Sequence, residues 1–252
     1  MSKFVWYDLM TPDMTASAKF YSHVVGWKVA ENAMPGMDYA IITQGDTQVG
    51  GMMPPPPLTK GMPPMWNGYI YADDVDAAAQ KAVGLGGTII QSAQDVPGIG
   101  RFAAVADPSG ASFILFKNDG GQQPLTDDAG RVGHIGWREL MSGNWEQAWD
   151  FYSGVFGWSK DDAMDMGPMG TYQMFKSGDD LIGGMMTKSK DDPTPPHWNY
   201  YFNVDSAEAA MARASSMGAK ITFGPMQVPG GSWALNGIDP QGAAFSLLST
   251  HK

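Results

Sequence analysis

The 252-residue sequence contains no cysteine, which excludes disulfide bonds, thiolate metal sites and cysteine nucleophiles. Charge is also scarce: 17% of the residues are charged, with 16 Lys and Arg against 26 Asp and Glu. The net charge of −10 disfavours a nucleic-acid partner, because binding a phosphate backbone needs a basic face. The sequence has neither a run of 18 apolar residues nor a recognisable signal peptide, so we expect a cytoplasmic protein without a membrane partner.

Methionine, glycine and tryptophan are abundant instead, with 19, 32 and 9 residues respectively. Methionine is flexible and polarizable, so it fills irregular cores or lines permissive binding surfaces. On composition alone, a methionine-rich core is the simpler interpretation. The 43% of apolar residues is enough for a buried core in one large domain or in two of ordinary size.

Internal repeats favour two domains. Several segments of the first half recur in the second half in the same order: Phe4–Met10 as His134–Met141, Phe20-Tyr21 as Phe151-Tyr152, Gly50–Met53 as Gly183–Met186, Trp66-Asn67 as Trp198-Asn199, and Asp107–Ala111 as Asp239–Ala243. A polar, glycine-rich segment lies between the two copies, as is typical of a linker. The predicted limits are a first domain over 1–118 (modules 1–57 and 64–118), a linker over 119–131, and a second domain over 132–252 (modules 132–188 and 196–252).

Each module has the pattern of a strand, a capped helix and two or three further strands. Thr11 is the predicted cap of the first helix, Asp73 or Asp74 begins the second, and Asp205 or Ser206 begins the fourth. The third helix carries aromatic residues at helical spacing, which we interpret as core: Trp145, Trp149, Tyr152 and Phe156.

The Asp-Pro-x-Gly segments predict a β-hairpin near the end of each half, because proline and glycine suit the second and fourth positions of a type I turn. The pattern therefore predicts an α+β fold, with helices outside curved antiparallel sheets. A ferredoxin-like α/β barrel is the competing topology. It would require a second helix near each module, and the sequence indicates one helix per module.

These repeated motifs resemble the vicinal oxygen chelate superfamily, which includes glyoxalase I, extradiol dioxygenases and bleomycin-type resistance proteins. The similarity covers nearly the whole chain and is greatest to a two-domain bacterial subgroup related to lactoylglutathione lyase. It implies paired βαβββ modules, each pair forming a cupped eight-stranded sheet around one ligand cavity. It also implies a divalent metal ion in most members.

The metal-ligand positions that this resemblance implies carry other residues here: Trp6, Asn67, Ile114, Trp137, Asn199 and Ser246. Thioethers at the Gly-Gly-Met-Met strands are poor ligands for hard or borderline metals. A shifted site made of His134, His197 and Glu139 is an alternative, although a single histidine before a strand is more often structural. We therefore expect no metal ion and no other cofactor.

Strand alternation places several side chains on the face of the implied cavities. Asp8 and Glu139 are the candidate catalytic residues, because a carboxyl group partly desolvated beside an indole can exchange a proton with a ligand. The competing interpretation is that both carboxylates only satisfy neighbouring polar groups. The candidate ligand-binding residues are Trp6, Met53, Asn67, Tyr69, Trp137, Met186, Asn199, Tyr201 and Ser246.

The sequence leaves two functional classes open. One is a metal-independent lyase or isomerase that acts on a small, partly apolar carbonyl compound. The other is a protein that sequesters such a compound, as the resistance members of the superfamily do. A metal-dependent glyoxalase or dioxygenase is less favoured. In each case the partner is a small molecule, and we expect a monomer or a loose homodimer.

Overall fold

The computed structural model describes residues 2–31, 36–57, 61–120 and 130–252. The first module contains β1 (Phe4–Met10), α1 (Met14–Val24), β2 (Lys28–Ala30), β3 (Ala40–Gln44) and β4 (Thr47–Met53). The second contains β5 (Met65–Tyr71), α2 (Val75–Gly84), β6 (Thr88–Val96), β7 (Gly100–Ala106) and β8 (Ser112–Asn118). The third contains β9 (Ile135–Ser142), α3 (Trp145–Phe156), β10 (Ser159–Asp165), a 3-10 turn (Gly167–Met169), β11 (Thr171–Ser177) and β12 (Asp180–Thr187). The fourth contains β13 (His197–Asn203), α4 (Ala207–Ser216), β14 (Lys220–Gln227), β15 (Trp233–Ile238) and β16 (Ala244–Ser249).

The strands form two eight-stranded sheets, in the orders β2-β3-β4-β1-β5-β8-β7-β6 and β10-β11-β12-β9-β13-β16-β15-β14. The expected α+β fold and tandem duplication are confirmed, but the sheets are mixed and not antiparallel throughout. The first strand of each module pairs in parallel with the fourth, as Asp8 does with Gly51 and Glu139 with Gly184. A helical crossover returns the chain in the starting direction, whereas the hairpins that follow reverse it.

The predicted helix starts are correct in two cases and wrong in one. Asp74 and Ser206 cap α2 and α4 as expected. The cap of α1 is Asp13, whose side chain accepts a hydrogen bond from the amide N–H of Ala16 at 2.9 Å. Thr11 is instead buried, with its hydroxyl 2.8 Å from that of Ser17, so it is not available as a cap.

The aromatic face of α3 also differs from the prediction. Its buried side chains are Ala148, Phe151, Tyr152 and Val155. Trp145 and Trp149 lie beside this stripe and are half-buried. The ammonium group of Lys160 lies 4.9 Å and 5.4 Å from the centres of these two rings, so a cation covers the indoles that we assigned to the core.

The chain divides into two compact units. The first unit comprises Met1–Val5, Gly68–Leu125 and Arg138–Asn199, and the second unit comprises Trp6–Asn67, Thr126–Trp137 and Tyr200–Lys252. Each unit therefore combines segments from both halves of the sequence. The predicted linker falls largely on residues 121–129, which lie outside the described residues. Within the described ranges, no helix is long and apolar enough to cross a membrane.

A buried hydrogen-bonded chain of three side chains lies in the core of the second unit. The indole N–H of Trp66 donates to the hydroxyl of Tyr21, which donates to Oδ2 of Asp239, both at 3.0 Å. Oδ1 of Asp239 accepts the amide N–H groups of Gln241 and Ala243 at 2.8 Å and 2.9 Å. Asp239 thus shapes the hairpin turn and also anchors the tyrosine of α1.

An equivalent row of hydrogen bonds occurs in the first unit, where the tryptophan and tyrosine come from the second half of the sequence and the aspartate comes from the first half. Trp198 donates to Tyr152 at 2.9 Å, and Tyr152 donates to Oδ2 of Asp107 at 3.3 Å. Burial raises the pKa of Asp107, as it does that of Asp239, while the turn amides and the tyrosine oppose the shift. In each unit a helix from one half of the sequence is therefore attached to a hairpin from the other half.

Candidate functional site

A carboxylate, a phenol and an indole form a closed hydrogen-bonded triangle in the first half of the sequence. Trp6 and Asp8 lie two residues apart on β1, so their side chains share one face of the sheet. Oδ1 of Asp8 accepts a hydrogen bond from Tyr39 at 2.7 Å and one from the indole of Trp6 at 2.9 Å. The indole also lies 2.8 Å from the hydroxyl of Tyr39. We call these three residues the Asp8 cluster.

The Asp8 cluster is shielded from solvent. Asp8 is 4% exposed and Tyr39 is 6% exposed, whereas Trp6 is half-buried. Burial, followed by the adjacent charge of Asp8, raises the pKa of Tyr39 well above its ordinary value. The phenol therefore stays protonated and acts as a donor to the carboxylate.

The Gly-Gly pair of β4 makes room for this arrangement. A Cβ atom on Gly51 would lie 2.0 Å from the hydroxyl of Tyr39 and 2.7 Å from Oδ1 of Asp8. A Cβ atom on Gly50 would lie 2.5 Å from the backbone oxygen of Tyr7. Both positions therefore require glycine: Gly50 because the backbone of β1 lies close to it, and Gly51 because the side chain of Tyr39 does.

The matching position in the second half holds a more open carboxylate. Glu139 on β9 is half-buried, and its Oε2 lies 3.3 Å from the amide nitrogen of Asn199. The ring of Tyr172 lies across Gly184, the register partner of Glu139, where an added Cβ would come 2.2 Å from the ring. Tyr172 stands twelve residues before Gly184, as Tyr39 stands before Gly51.

The sequence analysis missed both tyrosines. A signal for them existed, since each occupies the same position relative to the second glycine of the repeated pair. Each tyrosine lies just before β3 or near the start of β11, outside the motifs that define the repeat. Only the tertiary structure shows that the ring of each lies against the glycine paired with the candidate carboxylate.

The remaining candidate ligand-binding residues differ in exposure. Asn67, Tyr201 and Ser246 are buried, and Tyr201 pairs in register with Ser246. The half-buried residues are Met53, Tyr69, Trp137, Met186 and Asn199. Asn67 is 6% exposed, and its side-chain nitrogen has no hydrogen-bond partner among the residues that the structure describes.

The methionines at the ends of β4 and β12 occupy equivalent places. Met53 pairs in register with Met10 on β1, and Met186 pairs with Met141 on β9. The methionine before each of them, Met52 or Met185, is fully buried. The repeated Met-Met pair therefore supplies one core residue and one half-exposed thioether in each half, and only the latter can contact a ligand.

A groove lies in the proline-rich connection of the first half. It has a volume of about 490 Å³ and is lined by Pro12, Pro55, Pro56, Pro57, Gly61, Met62 and Pro64. These residues contain no titratable side chain. The groove therefore offers apolar contact, but no group that could exchange a proton with a ligand.

The residues at the implied metal positions do not fit a divalent cation. An indole N–H and an aliphatic side chain donate no lone pair to a metal, and an amide or a hydroxyl alone makes a weak ligand set. Among residues 2–31, 36–57, 61–120 and 130–252, no group of three or more His, Cys, Asp or Glu side chains could hold a metal ion. His197, a candidate ligand of the predicted shifted site, has one ring nitrogen 2.8 Å from the backbone oxygen of Pro195.

The duplicated modules, the mixed sheets and the paired carboxylate positions define the class of this protein. The chain belongs to the glyoxalase/bleomycin resistance protein/dioxygenase superfamily, which it matches over residues 3–115 and 131–247. It is 36% identical to CFP32 of Mycobacterium tuberculosis, whose name suggests a glyoxylase, over 96% of this chain and 93% of that protein. It is 31% identical to the anthracycline biosynthesis protein DnrV of Streptomyces peucetius, over 96% of this chain and 91% of that protein.

Solved structures of similar fold include a glyoxalase and a dioxygenase. The Mn(II)-bound glyoxalase of Novosphingobium aromaticivorans superposes with a TM-score of 0.64 at 16% identity, covering 100% of this chain and 84% of the other. The 2,2',3-trihydroxybiphenyl 1,2-dioxygenase of Sphingomonas wittichii superposes with a TM-score of 0.67 at 12% identity, covering 98% of this chain and 90% of the other. At these identities the similarity establishes the fold alone.

Proposed function

We propose that this protein binds a small, partly apolar carbonyl compound and acts on it without a resident metal ion, as a lyase or isomerase. The observation that carries the proposal is the half-buried carboxylate of Glu139, hydrogen-bonded to Asn199 and placed on the strand beside Gly184 and Met186. A few polar groups on an apolar wall are typical of a small-molecule site. The name of CFP32 suggests a glyoxylase and that of DnrV a role in anthracycline biosynthesis, and both support a small-molecule substrate.

The chemistry required is the transfer of one proton. The carboxylate of Glu139 removes a proton from the carbon next to the substrate carbonyl, and the electrons of that C–H bond form an enolate. The resulting carboxylic acid returns the same proton to a neighbouring atom, so no oxidant or further reactant is needed. The second N–H of the Asn199 amide donates to the enolate oxygen, a role that fixed donors perform in many active sites.

The test compares Glu139→Gln with wild type on two probes: the adduct of methylglyoxal with glutathione, and the anthracycline daunorubicin. If the adduct is isomerised, we expect the substitution to lower kcat by about 10²–10⁴-fold, the usual contribution of a general base. Glu146→Gln is the matched control, because Glu146 is exposed in the first turn of α3. Equal kcat and equal probe binding in wild type and Glu139→Gln would refute the role of Glu139.

Metal analysis tests the other part of the proposal. We expect substoichiometric Zn, Ni and Mn in the purified protein, and we expect binding and turnover to persist after dialysis against a chelator. A stoichiometric metal ion whose removal abolishes activity would contradict the proposal. That result would favour a metal-dependent glyoxalase.

Sequestration is the second candidate function. The half-exposed thioethers of Met53 and Met186 favour it, because flexible methionines accommodate ligands of varied shape. Tight binding of daunorubicin without chemical change, equal in wild type and Glu139→Gln, would favour this function over catalysis.

A further inference from the structure

We propose that the side-chain amide of Asn67 is the hydrogen-bond donor of a further ligand site, which takes an uncharged carbonyl group attached to a planar apolar ring. The site lies where β5 meets the strands of the first module, within the second unit. The inference goes beyond the proposed function, which concerns Glu139 and requires turnover. Binding at Asn67 requires no proton transfer.

The amide of Asn67 is buried without a partner. The side chain is 6% exposed, and its nitrogen has no hydrogen-bond partner in any part of the chain that the structure describes. Burial removes water from a donor, and a donor left unsatisfied destabilises the folded state. Such groups are rare in native proteins, so each one needs an explanation. An acceptor on a bound ligand would supply the hydrogen bond that the described residues do not.

The direction of the amide follows from its neighbours on β5. The indole of the adjacent Trp66 donates to a tyrosine of helix α1. Because successive residues of a strand point to opposite faces, Asn67 lies on the face away from α1. The corresponding residues of the second half show what else lies on this face, since the amide nitrogen of Asn199 is 3.3 Å from Oε2 of Glu139. Asp8 therefore belongs on the same face as Asn67.

Half-buried apolar side chains surround these two polar groups. Trp6 and Met10 lie on the face of β1 that carries the carboxylate, because they stand two residues before and two residues after it. Ile41 and Met53 continue this face on β3 and β4, in register with Gly51 and Met10 respectively. All four apolar side chains keep part of their surface accessible. They form the kind of apolar wall, with few polar groups, that binds small molecules.

The polar groups and the indole on this face select the ligand. The amide N–H is a donor, so its partner must be an acceptor such as a carbonyl oxygen. The carboxylate of Asp8 repels an anion, which favours an uncharged carbonyl over a carboxylate. The indole of Trp6 is held in one orientation by its hydrogen bonds to Asp8 and Tyr39. A planar ring can stack on an aromatic surface fixed in this way.

Nuclear magnetic resonance of the isotopically labelled protein tests the inference. The probe is acetophenone, in which a planar ring carries one uncharged carbonyl group. Ethylbenzene is the matched control, because a methylene group replaces the carbonyl and the rest of the molecule is the same. We expect the side-chain N–H signals of Asn67 to shift saturably with acetophenone and to shift much less with ethylbenzene. Signals of Asn67 that do not respond to acetophenone, or respond equally to both compounds, would overturn the inference.

Asn67→Leu tests the donor itself, because it removes the amide and retains the approximate size of the side chain. With binding followed at the indole N–H of Trp6, we expect the dissociation constant of acetophenone to increase about 3–10-fold, the equivalent of one neutral hydrogen bond. The dissociation constant of ethylbenzene should not increase. An unchanged dissociation constant of acetophenone in Asn67→Leu would contradict the role of the amide.

Asn199→Leu separates this site from the one in the second half of the sequence. We expect the signals of Asn67 to respond to acetophenone in this variant as they do in the wild type, and loss of that response would overturn the inference. Failure of the proposed function is recognised separately, as equal kcat and equal probe binding in wild type and Glu139→Gln.

Discussion

The substitution Tyr21→Phe isolates the contribution of one buried hydroxyl that links helix α1 to the hairpin of the fourth module. The hydroxyl donates to Asp239 and accepts from Trp66, both at 3.0 Å, and the tyrosine is fully buried. Removing it leaves the indole N–H without this acceptor and Oδ2 of Asp239 without this donor. At about 1–3 kcal/mol for each of these two unsatisfied buried groups, we expect the free energy of unfolding to fall by about 2–6 kcal/mol.

The loss should depend on pH. Burial raises the pKa of Asp239 above that of an aspartate in the unfolded chain. The free energy of unfolding therefore decreases as the pH rises through the raised pKa, because the carboxylate must then be charged in a buried position. Tyr21 opposes this rise by donating to the carboxylate, and Tyr21→Phe should therefore raise the pKa further. The difference in stability between wild type and variant should be smaller at about pH 4 and larger at neutral pH.

The assay is urea unfolding followed by tryptophan fluorescence at several pH values from about 4 to 7. Tyr152→Phe is the matched comparison, because its hydroxyl makes the equivalent contacts with Asp107 at 3.3 Å and Trp198 at 2.9 Å. Since its bond to the carboxylate is longer, we expect a loss no larger than that of Tyr21→Phe. A loss below about 0.5 kcal/mol that is the same at every pH would refute the reasoning.

Two further substitutions test other contacts. In Gly51→Ala the new methyl group would lie 2.0 Å from the hydroxyl of Tyr39. We therefore expect the free energy of unfolding in urea to fall by about 1–3 kcal/mol, and we expect a carbodiimide to label the carboxyl group of Asp8 faster than in wild type. Wild-type stability together with wild-type labelling would contradict the close packing. Arg213→Ala removes two hydrogen bonds to the backbone oxygen of Val24, at 3.1 Å and 2.9 Å, and we expect a loss of about 1–2 kcal/mol. The ion pair of Arg213 with Asp205 is largely exposed and should contribute little to stability. A loss of stability that disappears at high salt would show that this ion pair contributes more than the hydrogen bonds from Arg213 to Val24.

Much of the fold could be predicted from local patterns. The Asp-Pro-x-Gly segments predict hairpins because Asp107 and Asp239 accept the amide N–H groups that close the turns. The caps at Asp74 and Ser206 are equally local, since each side chain accepts from an amide three residues later. The predicted cap at Thr11 was wrong because the hydroxyl of Thr11 contacts that of Ser17 and does not cap the helix.

The candidate site was only partly predictable. Strand alternation correctly placed Trp6 beside Asp8, because residues two apart on a strand share a face. It gave no indication that Tyr39 would complete the cluster, because this tyrosine precedes β3 and belongs to none of the repeated motifs. The roles assigned to Asp8 and Glu139 in catalysis stay predictions until the variants are measured.

Local patterns in the sequence establish the duplication, the order of helices and strands in each module, and the membership of the superfamily. Because the two copies carry the same motifs, the sequence could not decide whether Tyr21 would pair with Asp107 or with Asp239. Only the tertiary structure selects Asp239, and it selects Asp107 for Tyr152. Side-chain identity is a local property that the repeat preserves, whereas the choice between identical partners depends on which modules pack together.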